Sequence, residues 1–74
     1  MIKFGKLKLK KLLKISEGRM TVYSLNRENY VFDTDTSDIS KFSKFINKAT
    51  VRKIMIYGHY NIDVITYEKW EPEV

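Results

Sequence analysis

The sequence predicts a small α+β domain, a sheet carrying a single amphipathic helix. Three observations point there. Short stretches rich in β-formers recur between turn clusters, one segment has a helical apolar stripe, and 74 residues suffice for one domain and no more. The expected element order is β-β-β-α-β-β, with an antiparallel sheet and the helix packed on it.

Residues 6–15 admit two templates. As a strand, Leu7, Leu9, Leu13 and Ile15 point one way, and Lys6, Lys8, Lys10 and Lys14 the other, with Lys11 and Leu12 misfits. As a helix over the same window, Leu7 falls among the lysines while Lys8 and Lys11 interrupt the apolar side. The period-two template matches better, and a first strand is expected. Ser16-Glu17-Gly18-Arg19 reads as a turn, with Gly18 able to take positive φ. Met20 to Leu25 and Tyr30 to Phe32 follow as strands around the turn Asn26–Asn29, which completes a three-stranded meander.

Asp35-Thr36-Ser37-Asp38 is dense in side chains that accept bonds from the free amides of a helix start. Ile39, Phe42, Phe45, Ile46 and Ala49 then form one continuous helical stripe. Thr50 to Tyr57 and Ile62 to Tyr67 read as a hairpin closed by Gly58-His59-Tyr60-Asn61, with Met55 facing Val64 and Tyr57 facing Ile62. Apolar side chains on both faces of the first of these strands predict a central place in the sheet or cover on both sides. Residues 68–74 read as a loosely held tail of the single domain spanning 1–74, and Pro72 ends any strand.

Composition narrows the classes of function. The chain has no cysteine, so disulfides and thiolate metal sites are excluded and a reducing, cytoplasmic location is expected. The longest apolar run, Ile54 to Tyr57, is far short of the roughly 20 residues that span a bilayer. Lysines recur through Lys14, which leaves no room for the apolar region of a signal peptide.

Catalytic constellations are scarce. His59 is the sole histidine and reads as an exposed loop residue with no partner in view. Counting a calcium-binding loop from Asp33 puts Asp38 where glycine is needed and Lys44 where glutamate is needed. Helix capping accounts better for Asp33, Asp35 and Asp38. Gly5, Gly18 and Gly58 are isolated and build no phosphate loop. The expectation is a protein that is not an enzyme, with no cofactor and no metal.

Charge is the feature with functional weight. The net charge is +5, and residues 1–19 hold Lys3, Lys6, Lys8, Lys10, Lys11, Lys14 and Arg19 against Glu17 alone. On the strand template the lysines of one face recur about every 6.6 Å, close to the spacing of phosphates along a nucleic-acid strand. The same lysines also suit a solvated edge strand protected from aggregation. Eleven lysines against three arginines favour contact with the backbone over base recognition. Tyr23, Tyr30, Tyr57, Tyr60 and Tyr67 lie on or beside strands, as stacking platforms do, although core-edge packing explains them as well.

Two partners follow. One is nucleic acid or a nucleic-acid-processing protein, engaged by Lys6, Lys8, Lys10, Lys11, Lys14 and Arg19. The other is a protein blocked or bridged through a sheet edge or an aromatic surface that includes Tyr60 and Trp70. The basic head and acidic tail also permit a homodimer. In size, lysine and isoleucine richness and lack of catalytic groups, the chain is similar in general character to small accessory proteins of phages and mobile elements. That resemblance implies a binding protein that blocks a host enzyme.

Overall fold

The computed structural model describes residues 7–58 and 60–72. Their order is α1 (Leu9–Ile15), β1 (Arg19–Ser24), β2 (Tyr30–Asp33), a 3-10 helix (Ile39–Phe42), α2 (Ser43–Lys48), β3 (Val51–Tyr57) and β4 (Asn61–Thr66). The strands form one sheet in the order β2-β1-β4-β3. β1 is antiparallel to β2 and β3 to β4, whereas β1 and β4 run parallel at the centre. The sheet is therefore mixed, two hairpins joined along a parallel seam, and not the antiparallel array expected.

The register aligns one apolar row across all four strands. Phe32 sits opposite Val22, Val22 opposite Val64, and Val64 opposite Ile54. Met20, Ile62 and Ile56 form the next row on the same face. Leu9 and Leu12 of α1, Phe45 of α2 and Ala49 complete the core against this face. Both helices therefore cover one side of the sheet, and the other side is open.

The first predicted strand is a helix. The helix is shorter than the stretch 6–15. α1 starts at Leu9, so Leu7 and Lys8 precede it, and its two turns bury only Leu9 and Leu12. A short peripheral helix needs no wider apolar stripe, and the Lys8 and Leu7 objections to a helix vanish. The extended chain before it survives as a single antiparallel bridge, Lys8 opposite Thr50, with the Val51 N–H donating to Leu7 O at 2.8 Å.

The second helical segment splits at Phe42, where φ is −112° and ψ is 16°. Ile39, Phe42 and Phe45 recur every third residue, a spacing that suits 3-10 winding before the α-helical turn begins. Asp38 caps it, accepting from the Ser40 N–H at 3.1 Å and the Ser40 hydroxyl at 2.6 Å.

β3 is an edge strand, not a central one. It ends the sheet order beside β4, and the core does not extend to its far end, where Ile56 on the core face is 74% exposed. β4 begins at Asn61, one residue earlier than expected. Met55 consequently faces Asp63, Ile56 faces Ile62 and Tyr57 faces Asn61. Gly18 has no positive φ, and among the described glycines that conformation belongs to Gly58, at 75°.

Glu68 and Trp70 of the C-terminal segment bond to the sheet and its flanks. Glu68 accepts the Thr50 N–H at 2.6 Å through its carboxylate and the Ser24 hydroxyl at 2.7 Å through its carbonyl. The Trp70 N–H donates to Ser24 Oγ at 2.8 Å, and the Trp70 ring lies 5.7 Å from that of Phe42. Buried Ser24 and Thr66 thus satisfy their hydroxyls while anchoring the C-terminal segment.

A candidate basic surface on the helix layer

Docking α1 against α2 gathers charge that is dispersed in sequence. Lys10, Lys11 and Lys14 of α1 are exposed, as are Lys41, Lys44 and Lys48 of the second helical segment. No aspartate or glutamate occurs within α1, the 3-10 helix or α2. Six exposed lysines therefore lie on the two helical segments, Lys10 and Lys14 beside the seam between them and Lys41 next to the Asp38 carboxylate at the 3-10 N-cap. The arrangement follows from local folding. The sheet takes Leu9, Leu12 and Phe45, which leaves the intervening lysines to solvent.

The residues singled out from sequence are divided by the structure. Lys10, Lys11 and Lys14 come together on α1, and Lys8 is exposed at its N-cap. They do not form a strand face, so the spacing argument with successive phosphates no longer applies to them. Lys6 lies outside the described residues, and so does His59. Arg19 belongs to β1, where its guanidinium is committed to Asp33, with Nε donating to Oδ2 at 2.6 Å and a second nitrogen paired to the same oxygen. Lys41, Lys44 and Lys48 were not among the expected binding residues. Their signal in the sequence was their position between the apolar residues of the second helix, which makes them solvent-facing.

The carboxyl of Asp33 is buried, and burial pushes it up. The Arg19 hydrogen bond and charge, with backbone N–H groups of Asp35 and Thr36, outweigh that effect and hold it below the usual carboxylate range. Asp38 is likewise held low by its bonds from Ser40. Both acids have structural partners, Asp33 at a strand end and Asp38 at a cap.

The open face of the sheet carries the aromatic side chains. Tyr23 and Tyr30 meet edge to face with centroids 6.3 Å apart. Arg27 reaches across from the β1–β2 turn, its guanidinium 5.6 Å from the Tyr57 ring centre and 3.4 Å from Asp63. Arg27 is thereby engaged within the fold and adds little free charge to that face. Tyr60 is 69% exposed beside the β3–β4 turn, whereas Trp70 is half-buried against Phe42.

Among the described residues, no group of three or more histidines and acids is gathered to hold a metal ion. No helix among them is long and apolar enough to cross a membrane. The fold and the basic helix layer define the class, a small α+β domain with a four-stranded mixed sheet and two helices. No protein-family model, no curated protein and no solved structure matches the chain.

Proposed function

We propose that the protein is a non-enzymatic binding module whose basic helix layer engages the phosphate backbone of nucleic acid. The observation that carries this reading is the exposure of Lys10, Lys11, Lys14, Lys41, Lys44 and Lys48 on helical segments that contain no aspartate or glutamate within them. Lysine is a flexible point charge suited to phosphates in any sequence context, so recognition is sequence-tolerant. Fluorescence anisotropy with labelled single-stranded and duplex oligonucleotides tests it. If the whole layer is engaged, affinity falls about 10³-fold between about 50 and 200 mM salt. The triple substitution Lys10→Glu, Lys14→Glu, Lys41→Glu abolishes binding. Absence of binding by the native protein at about 50 mM salt discards the reading.

A second reading, an inhibitor or adaptor of a host enzyme, is favoured by the outer edge of β3. From Arg52 to Tyr57 no described strand pairs with that edge, and Ile56 and Tyr57 are exposed along it. An extended segment of another protein would add a strand there. Affinity capture with tagged protein and an Ile56→Lys control tests it; a partner retained equally by both forms does not use the edge.

A further inference from the structure

An apolar groove of about 410 Å³ runs between α1 and the Ile39–Lys48 segment. Leu13, Ile39 and Ile46 supply its apolar lining, and Lys10 and Lys14 flank it on the α1 side. Its remaining polar contributors are neutral, including Ser43 and Asn47. The groove exists because each helix spends its best apolar positions on the sheet. Leu9, Leu12 and Phe45 point into the core, while Leu13 and Ile46 are only half-buried and Ile39 is 40% exposed.

We propose that this groove is a docking site for an acidic amphipathic helix of a partner protein. Charge complementarity selects the occupant. Every charged group lining the groove is a lysine, so a basic segment is repelled and an acidic one is steered in. The apolar lining selects further, because a bare polyphosphate leaves Leu13, Ile39 and Ile46 uncovered. A helix with apolar residues at i, i+3 or i+4, and i+7 covers all three, and its flanking aspartates or glutamates meet Lys10 and Lys14. The chain's own acidic segment is fastened elsewhere at Glu68 and Trp70 by Ser24, Thr50 and Phe42. The site is independent of nucleic-acid binding, although it shares Lys10 and Lys14 with the basic layer, so an occupant would compete with phosphates for those two charges.

The test uses the full chain and three fluorescein-labelled synthetic peptides of about 14 residues, near the lower limit for a helix in water. One carries leucines at the stated spacing on a glutamate background, one replaces each glutamate by lysine, and one scrambles the first. Anisotropy gives affinity, and amide chemical-shift changes give the location. The acidic amphipathic peptide binds at least tenfold more tightly than either control, with shifts confined to α1 and residues 39–47. Ile39→Asn, at a partly exposed position and checked for folding by circular dichroism, weakens it at least tenfold. Lys10→Glu with Lys14→Glu reverses the preference between acidic and basic peptides. Equal binding of the scrambled peptide, shifts centred on the β3 edge, or no binding at millimolar peptide overturns the proposal. So does an oligonucleotide whose affinity falls with Ile39→Asn as much as the peptide's, because the groove would then belong to a phosphate surface.

Discussion

Gly18 lies directly against the Tyr60 carbonyl, so close that a β-carbon at Gly18 would stand 2.3 Å from the oxygen. The next residue, Arg19, donates its N–H to that same carbonyl at 2.6 Å. The contact fixes where β1 begins relative to the β3–β4 turn. Gly18→Ala must displace backbone and is expected to cost about 1–3 kcal/mol. Gly58→Ala meets no atom within 4 Å and suffers only from its φ of 75°, a cost of about 1 kcal/mol. Urea denaturation of the two variants should rank them in that order, and amide exchange at Arg19 should accelerate only in the first.

Asp33 ties part of the fold's stability to its ionised form. Its folded pKa is lowered, so its contribution is fully present above the unfolded value, about 3.9, and is lost as pH falls through the folded value. Thermal melts between pH 7 and pH 2 should show stability falling below about pH 4. Asp33→Asn should be less stable at neutral pH and show a shallower acid limb, because it has no proton to take up there.

Leu25 adopts φ of 69°, a left-handed conformation that a leucine side chain disfavours. The side chain is 41% exposed and the backbone carbonyl accepts from Arg52 at 2.9 Å. Leu25→Asn keeps that carbonyl and suits the conformation, so it should stabilise by about 1 kcal/mol. An unchanged or lowered denaturation midpoint would contradict this account of the turn.

Trp70 is the sole tryptophan and reports on its own docking. Packed beside Phe42, its emission should shift to the red together with loss of far-ultraviolet ellipticity in a single transition. Trp70→Ala should cost about 1–2 kcal/mol from lost apolar burial. A variant of unchanged stability would free Trp70 for the interface role expected from its sequence context.

The legible parts of the fold were those with local signals. The alternation Met20, Val22 in β1, the hairpin of β3 and β4, and the stripe around Phe42 and Phe45 all lie where the sequence pattern puts them. α1 was illegible because leucine and lysine at near-regular spacing fit two periods, and only the packing of Leu9 and Leu12 decides between them. The parallel pairing of β1 with β4 has no sequence signature at all, since an alternating strand does not encode its neighbour. β3 looked central because its apolar residues occupy both faces, yet one of those faces is left open by two helices on the same side. The charge of the candidate site was visible residue by residue. Its surroundings were not, because Lys10 and Lys14 come to lie beside Ile39 and Ile46 only when two helices distant in the chain pack together.

The parallel seam has a kinetic consequence. β2 and β3 each pair with a strand adjacent in sequence, so both hairpins close over short loops. The seam instead aligns Arg19 with Asn61 and Ser24 with Thr66, and it forms only after the whole intervening chain is looped back. A lone two-stranded hairpin is at best marginally stable in water. Neither half of the molecule is therefore an autonomous folding unit, and a nick between Asp38 and Ser43 should yield two fragments that order only in each other's presence.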